Sequence, residues 1–406
     1  MNVLFLTISR LCDVQTRGIY TDLMRKFRDE GHRVYIASPR ERRFGPEAGV
    51  TECDGVSILG VKTLNIQKTN VIEKGIATIL LEGAFKRAIK RHWGNVKFDL
   101  VLYSTPPITF TRVVRFIKRR NPNAVSYLLL KDIFPQNAVD LGMFSRHSLL
   151  HAYFRRKERQ MYRVSDHIGC MSPANVRYVI EHNADVDPAI VELAPNSYDL
   201  PERQYSADER TSIRQRYGLP ADKPIFIYGG NMGRPQGIPF LVECLKAVAE
   251  RDDCHFVVVG DGTEYPKLQA WVDEAKPEAV SLYTRLAKED YDALTASCDV
   301  GLIFLDYRFT IPNYPSRLLP YLMERKPIIA ATDLSSDVGT LAEEHGYGYW
   351  SPSDSVEKFC DSVERMLKAN RLDMGERGYR FYLNNYTTEH TYRAIVKHCN
   401  PTSDHV

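Results

Sequence analysis

The 406-residue sequence lacks the patterns that mark several large protein classes. No apolar run approaches the roughly 18 residues that a membrane-spanning helix needs, and the best stretch, Ile76 to Leu81, is far shorter. The apolar segment from Met1 to Ile8 has neither the basic flank nor the small-residue cleavage site of a secretory signal. We therefore expect a soluble protein that neither spans a membrane nor is exported through such a signal.

Cysteine and metal patterns are equally sparse. The eight cysteines are scattered, with no CxxC pair, and several lie in apolar segments as buried free thiols do. No metal-ligating constellation, no GxSxG nucleophile turn and no GxGxxG dinucleotide fingerprint with its acidic partner occurs. This predicts a reduced, cytoplasmic protein without zinc.

The composition is that of a globular protein. Apolar residues make up 44%, charged residues 26% and aromatic residues 11% of the chain, which excludes the disordered and fibrous classes. The length indicates two or three domains at about 150 residues each.

Short apolar strands alternate with helix-period segments along the whole chain. In the second half, the predicted strands are Ile225–Tyr228, Phe256–Val259, Val280–Leu282, Val300–Phe304 and Pro327–Ala331. Such alternation is typical of a parallel sheet with helices on both faces. Two such series, separated by a polar linker from Pro195 to Ala207, predict an α/β protein of two doubly wound, Rossmann-like domains.

The net charge of +3 conceals an asymmetry between the halves. Residues 1–197 have 30 basic and 19 acidic residues, a balance of +11, whereas residues 198–406 have 24 and 32, a balance of −8. The basic residues cluster on predicted helices of the first half, as Lys86-Arg87, Lys90-Arg91, Arg112, Arg115, Lys118 to Arg120, Arg155 to Lys157, Arg159 and Arg163. Interleaved apolar residues suit an anionic membrane surface. Solvated helix faces are the simpler alternative, and no nucleic-acid module is visible.

Ligands of parallel sheets bind beyond the carboxyl ends of the strands, so the residues there are the first candidates for a binding site. The strand Ile225–Tyr228 runs into Gly229-Gly230-Asn231-Met232-Gly233-Arg234, and a helix from Pro239 follows. Glycines let backbone amides approach a ligand, a helix N-terminus favours anions, and Arg234 adds a fixed charge. The pattern predicts a phosphate-binding turn, although a glycine-rich turn can also serve geometry alone.

Three further strand ends carry candidate groups. Gly260-Asp261-Gly262-Thr263 is most simply a turn in which Thr263 caps the next helix. In Pro315-Ser316-Arg317, Ser316 is a good helix cap for Leu318–Met323, and Arg317 in the first turn would be explained by an anionic ligand. Lys131-Asp132, after an apolar strand, is either a site or a capping arrangement.

In this order and spacing, the motifs resemble family 4 GT-B glycosyltransferases, in particular the subgroup that builds bacterial capsule, O-antigen and exopolysaccharide chains. The resemblance spans nearly the whole chain. The matching segments are Arg17-Gly18, Asp132 to Pro135, Ala194-Pro195-Asn196, Tyr228 to Asn231 with Gln236-Gly237, Pro315-Ser316-Arg317 and Lys326 to Ala330.

The resemblance implies a GT-B fold with an interdomain cleft. Residues 1–197 would bind the acceptor, residues 198–387 would bind a nucleotide-sugar donor, and the C-terminal helix, about 388–406, would pack back on the first domain. Asp132, Arg234 and Arg317 would carry catalysis. The implied donor-binding residues are Gly18, Gly230, Asn231, Gly233, Thr284, Arg285, Leu286, Tyr314, Pro315, Ser316 and Leu318.

Two departures from the family pattern concern the donor. The family's second glutamate, which holds the nucleotide ribose, corresponds to Pro320, and the first falls near Pro312. Arg325 replaces a common glycine, and Asp132 stands roughly where a cleft histidine is usual. The ribose contact and one sugar contact therefore do not carry over from the family.

The implied reaction is metal-free and cofactor-free transfer of a sugar, with retention, from a nucleotide-diphosphate donor. We expect a UDP-sugar, with an N-acetylhexosamine as one option, and a saccharide or polyprenyl-diphosphate-linked acceptor. The enzyme would act in surface polysaccharide synthesis, in the cytoplasm at the inner face of the membrane and without nucleic acid. Rival functions are a GT-B nucleotide-sugar 2-epimerase and a non-catalytic sugar-nucleotide-binding subunit.

Overall fold

A computed structural model describes residues 1–45, 49–66, 71–200 and 203–399. The chain divides into two compact units, Met1–Asp199 with Thr387–Val406, and Leu200–Tyr386. The boundaries expected from the sequence lay at residues 197/198 and 387/388. The end of the C-terminal segment, residues 400–406, lies outside the described residues.

The strands in chain order are β1 (Asn2–Leu6), β2 (Arg33–Glu41), β3 (Gly49–Cys53), β4 (Val56–Thr63), β5 (Leu100–Ser104), β6 (Val125–Leu130), β7 (His167–Cys170), β8 (Val191–Leu193), β9 (Ile225–Asn231), β10 (His255–Asp261), β11 (Val280–Tyr283), β12 (Val300–Phe304), β13 (Ile328–Thr332) and β14 (Gly348–Pro352).

The α-helices are α1 (Ile19–Asp29), α2 (Val71–Trp93), α3 (Thr111–Arg120), α4 (Gln136–Asp140), α5 (Leu149–Tyr162), α6 (Pro173–His182), α7 (Ala207–Arg216), α8 (Ile238–Val248), α9 (Tyr265–Ala275), α10 (Lys288–Ser297), α11 (Leu318–Met323), α12 (Val338–Glu344), α13 (Val356–Lys368), α14 (Arg371–Asn385) and α15 (Thr388–Val396).

The sheet of the first unit has the strand order β3-β4-β2-β1-β5-β6-β7-β8 among the described residues. Its pairs are parallel except β3 with β4. The chain moves towards one edge from β1 to β4 and towards the other after β4, so right-handed crossovers place α1 on one face and α2, α3, α5 and α6 on the other. The C-terminal helix α15 packs on α1, where the Tyr392 and Phe27 rings meet at 5.0 Å.

The sheet of the second unit is parallel throughout its described strands, with the order β11-β10-β9-β12-β13-β14. Its core lies between the sheet and helices such as α8 and α13, around buried side chains of Phe226, Phe256 and Phe304. The strand order reverses between β9 and β12, which is the position where doubly wound sheets open a crevice for ligands.

Several predicted bounds were wrong, and glycine is the main reason. β9 extends three residues and β10 two residues beyond the ends that the sequence indicated, because poor strand formers continue both strands. β14 was not predicted at all. α11 has the predicted bounds, Leu318–Met323.

No helix within the described ranges is both long and apolar enough to cross a membrane. All eight cysteines lie in those ranges, and each is a free thiol.

Candidate active site

The carboxyl end of β9 is not the loop that the sequence suggested. Gly230 and Asn231 continue the strand and pair with Gly260 and Asp261 of β10. A Cβ on Gly260 would lie 1.9 Å from the Gly230 carbonyl oxygen, so the two strands approach this closely only because glycine is present. Gly230 itself has a φ of 121°, which favours glycine. The expected phosphate-binding turn therefore starts only at Met232.

The turn after β9 is held by its own side chains. The Gln236 Oε1 atom accepts hydrogen bonds from the Gly233 amide and the Asn231 side chain, both at 3.2 Å. The Asp306 amide, after β12, donates to the Pro235 carbonyl at 3.0 Å. Arg234 is exposed at the tip, where its side chain makes no hydrogen bond or ion pair with the described residues. The turn thus presents one unengaged cation from a fixed backbone.

Arg317 lies at the other side of the strand-order reversal, at the N-cap of α11. Its guanidinium carbon is 4.6 Å from the centre of the Tyr228 ring, and a Cβ on Gly230 would be 3.8 Å from it. Its Nη1 atom is buried and finds no hydrogen-bond partner in the part of the chain that the structure describes. A buried donor without an acceptor is costly, so an anionic ligand beside Gly230 would relieve that cost.

Two tyrosines that the sequence analysis missed fix this position. β12 pairs with β9 only through Phe226 and Ile227. The Tyr321 hydroxyl forms hydrogen bonds with backbone groups of β9 at and after this point. It donates to the Ile227 carbonyl at 3.1 Å and accepts from the Gly229 amide at 3.2 Å. A Cβ on Gly229 would lie 2.1 Å from the Tyr291 hydroxyl. The only available signal was that Tyr321 follows Pro320 in the segment matched to the family.

The other predicted donor residues differ in accessibility. The expectation that Ser316 caps α11 was wrong: the N-cap is Arg317, without a side-chain cap, and Ser316 is exposed. Tyr314 is buried, with its hydroxyl 2.5 Å from that of Tyr386. Leu318 is buried, and Pro315 is half-buried. The residues Thr284 and Arg285 are exposed after the edge strand β11, with Leu286 half-buried.

The expected cap at Thr263 is also absent. Glu264 is the N-cap of α9 and makes no side-chain cap. The Glu264 amide instead donates to the Met232 carbonyl at 2.9 Å. The segment after β10 therefore braces the turn that carries Arg234.

Gly18, in the first unit, is the N-cap of α1 and lies beyond the carboxyl end of β1. Its amide donates to Asp22 Oδ1 at 2.8 Å, and the other Asp22 oxygen accepts from the Asp199 amide at 2.9 Å. Arg17 donates to the Asp199 carbonyl. The resemblance implies that Gly18 lies near a donor phosphate. In this structure, the Gly18 amide already donates a hydrogen bond within the first unit.

Asp132 follows β6 at the carboxyl edge of the same sheet. Thr105 Oγ1 accepts from the Lys131 and Asp132 amides at 2.8 and 3.0 Å, and the Asp132 carboxylate accepts from Asn137 Nδ2 at 2.7 Å. Burial raises the pKa of the Asp132 carboxyl to about 6. Because α4 has no side-chain cap, the segment is not a capping arrangement.

Lys131 beside it is a second perturbed group. Its Nζ atom donates to the Ala194 carbonyl at 3.1 Å, and burial lowers the pKa of its ammonium to about 7. Perturbed pairs at a strand end are characteristic of functional sites, although structural networks also produce them. No cluster of three or more His, Cys, Asp or Glu side chains in the described ranges could hold a metal ion.

Comparisons with known proteins agree with this architecture. Residues 209–381 match the family described as "Glycosyl transferases group 1". The probable glycosyltransferase WbjE of Pseudomonas aeruginosa is 20% identical over 318 residues, which cover 76% of this chain and 75% of that protein. The putative colanic acid biosynthesis glycosyl transferase WcaI of Escherichia coli K12 is 22% identical over 50% of this chain and 49% of its own.

Solved structures match over 98% of both chains. Sucrose-phosphate synthase from Thermosynechococcus elongatus has a TM-score of 0.76 at 16% identity. Anabaena HepE, solved with UDP-glucose, has a TM-score of 0.69 at 15% identity. Residues 209–381, in the second unit, thus match the group 1 glycosyl transferase family, and the two doubly wound units have the GT-B fold of the matched structures.

Proposed function

We propose that this protein is a glycosyltransferase that moves a sugar from a nucleoside-diphosphate donor to a saccharide or lipid-linked acceptor, with retention at the anomeric carbon. The second unit binds the donor, and the first unit binds the acceptor. The product belongs to a bacterial surface polysaccharide. The relatives WbjE and WcaI, which are named as glycosyltransferases, support the class of enzyme, and WcaI, named for colanic acid biosynthesis, supports the polysaccharide setting.

The observation that carries the proposal is the buried Nη1 atom of Arg317, which has no hydrogen-bond partner among the described residues. A buried Nη1 atom beside the glycine-lined end of β9 needs an acceptor, and a diphosphate supplies several in the fork geometry that arginine prefers. The Tyr228 ring fixes the guanidinium plane before the donor arrives. Such preorganisation lets the cation stabilise charge without reorganising during the reaction.

Arg234 supplies the second cation of the proposed diphosphate site. It is held on the braced turn between Gly233 and Gly237, and its side chain is free to follow the donor. As the bond from sugar to diphosphate breaks, negative charge grows on the leaving phosphate, and both arginines stabilise it. In this proposal the arginines do what a divalent cation does in other transferases, and the reaction uses neither metal nor cofactor.

The nucleotide base is assigned to the exposed segment Thr284 to Leu286 after β11, through backbone groups. The ribose contact must come from elsewhere, because Pro320 and Pro312 have no carboxylate. We infer a uridine diphosphate donor, carrying a hexose or N-acetylhexosamine. The supporting observation is that HepE, which shares the fold, was solved with UDP-glucose.

Asp132 is assigned to a sugar hydroxyl of the donor or acceptor. Its pKa of about 6 leaves the carboxylate ionised at neutral pH, where it accepts a hydrogen bond from a hydroxyl. Asn137 and Thr105 hold it in place. The basic helices of the first unit are assigned to an anionic membrane surface, which places the enzyme at the cytoplasmic face beside a lipid-linked acceptor.

The replacement of both family glutamates favours one alternative, a non-catalytic subunit that binds sugar nucleotides.

A panel of UDP-, GDP-, ADP- and dTDP-sugars, read first by thermal shift, identifies the donor. Incubation of that donor with polyprenyl-diphosphate-linked and soluble saccharide acceptors then tests transfer, and NMR of the product gives its anomeric configuration. Transfer with retention supports the proposal, whereas tight binding without turnover across all acceptors favours the subunit. Conversion of the donor sugar without an acceptor indicates an epimerase.

A further inference from the structure

The segment that follows β12 carries a cation that the proposed diphosphate site does not use. Arg308 holds the Asp306 carboxylate in a fork, in which Nε donates to Oδ1 and Nη2 to Oδ2, both at 2.8 Å. The Arg308 amide also donates to Oδ1, at 3.1 Å. Asp306 is buried, whereas the Arg308 side chain is 42% exposed. The inner edge of this guanidinium is therefore fixed by its own segment.

The outer edge of the same guanidinium is unused. Arginine has five N–H donors in a planar arrangement, and the fork to Asp306 takes two of them. The remaining donors, on Nη1 and Nη2, make no hydrogen bond or ion pair within the part of the chain that the structure describes. They form a second fork, and two parallel N–H bonds from such a fork match the two oxygens of a carboxylate.

A second arginine of the same unit shows what fills such a fork. Arg251 Nε and Nη2 donate to the carboxylate of Asp253, two residues further along, at 2.8 and 2.5 Å. Its Nη1 atom donates to Glu364 of α13 at 2.5 Å. This guanidinium thus has a carboxylate on each side. Arg308 has the same inner partner but lacks the outer one.

The strand order places Arg308 at the sugar end of the proposed donor. The Asp306 amide donates to the Pro235 carbonyl at 3.0 Å, so this segment lies against the turn that carries Arg234. In the order β11-β10-β9-β12, the proposed base site after β11 and Arg308 after β12 lie on opposite sides of β9, where neighbouring strands are about 5 Å apart. The diphosphate of a nucleotide sugar separates base from sugar. A base at β11 and a diphosphate at β9 therefore direct the sugar towards β12.

The two segments around the proposed diphosphate site supply donors rather than acceptors. Residues 229–237 contain no acidic residue, and residues 305–317 contain Asp306 alone, whose carboxylate is already bound. The family's two glutamates would fall near Pro312 and at Pro320. Such glutamates would repel a negatively charged sugar, and their replacement by proline removes that repulsion.

We propose that the donor sugar is a hexuronic acid, whose C6 carboxylate accepts two hydrogen bonds from the outer edge of Arg308. Asp306 is the positioning residue that fixes the guanidinium. The inference rests on the proposed function and narrows it, because the hexose or N-acetylhexosamine of the donor is then oxidised at C6. A neutral sugar has a hydroxymethyl group there, which has neither the charge nor the two oxygens that the fork matches.

Titration calorimetry of the full chain with matched donor pairs tests the inference. UDP-glucuronic acid is compared with UDP-glucose, UDP-galacturonic acid with UDP-galactose, and GDP-mannuronic acid with GDP-mannose. The two members of each pair differ only at C6. We expect the uronate of at least one pair to bind about tenfold tighter or more, as one charge-assisted hydrogen bond at a partly exposed position provides.

Substitutions of Arg308 assign that preference. Arg308→Gln should weaken binding of the uronate about tenfold and change binding of its neutral partner less than about twofold. Arg308→Lys keeps the charge but has no second fork, so its loss should be intermediate. The matched control is Arg251→Gln, which removes the equivalent fork to Asp253 just before β10 and should leave the ratio of the two affinities unchanged. Because the result is a ratio measured on one protein, partial unfolding of a variant does not imitate it.

The outcomes separate this inference from the proposed function. Uronates that bind no tighter than their neutral partners in every pair overturn the inference, and so does a preference that survives Arg308→Gln. Binding and transfer of a neutral sugar alone would refute the inference and leave the proposed function standing. If no sugar nucleotide binds, neutral or acidic, the proposed function fails and the inference fails with it.

Discussion

Replacing Arg317 by alanine removes the cation that the proposed donor site depends on most. Loss of one preorganised donor aimed at developing negative charge costs about 10²- to 10³-fold in rate, or roughly 3–4 kcal/mol. Stability should change little, for two opposing reasons. The stacking on Tyr228 is worth about 0.5–2 kcal/mol, whereas removal of the unpartnered buried Nη1 atom relieves about 1–3 kcal/mol. We expect the free energy of unfolding to shift by about 1 kcal/mol at most.

The assay is initial-rate kinetics with the donor found by the nucleotide panel, paired with urea unfolding of each variant. Arg317→Lys should retain part of the activity, since it keeps the charge but loses the fork. The matched control is Arg365→Ala on α13, whose guanidinium lies 3.9 Å from the Tyr349 ring centre in the same unit. It should lose similar stacking without losing turnover. A folded Arg317→Ala enzyme with kcat/KM within threefold of the parent would refute the reasoning.

Three further predictions concern the scaffold of the two units. The pKa of Asp132 is raised to about 6, so ionisation of its carboxyl destabilises the folded state as pH rises from about 4 to about 6. Asp132→Asn should therefore be more stable than the parent at pH 7.5, by at most about 3 kcal/mol, and should lose that gain below pH 4, while its turnover falls. Thermal melts and a pH–rate profile check both signs. Tyr321→Phe leaves a backbone amide of β9 unpaired and should cost about 1–3 kcal/mol in urea unfolding, with weaker donor binding in the same titrations. Gly260→Ala should lower the free energy of unfolding by about 3 kcal/mol or more, because its Cβ would clash with Gly230. Gly142→Ala, whose Cβ would have no atom within 4 Å, should lower it by about 1–2 kcal/mol from backbone strain alone. Equal unfolding midpoints for these two variants would contradict the clash.

The alternation of strands and helices was readable from the sequence because apolar runs of strand length report burial on both faces of a parallel sheet. The bounds of β12 and α11 were predicted correctly, since both are continuous apolar segments. The ends of β9 and β10 were not, because strand propensity penalises glycine whereas the packing of Gly230 against Gly260 demands it.

The positions of Arg234 and Arg317 at the ends of β9 and β12 followed from motif and strand order, yet their environments did not. Whether a guanidinium finds an acceptor depends on tertiary neighbours, such as Tyr228, that lie far away in sequence. The same holds for Tyr321, whose hydroxyl substitutes for a missing strand partner. The cap predicted at Ser316 failed because the backbone enters α11 one residue later.

The most direct test of the account is a crystal structure of the chain with the nucleoside diphosphate of its best donor. We predict that a phosphate oxygen lies within hydrogen-bonding distance of Arg317 Nη1, beside Gly230 at the end of β9. A diphosphate bound without contact to Arg317, or at another strand end, would contradict the central claim.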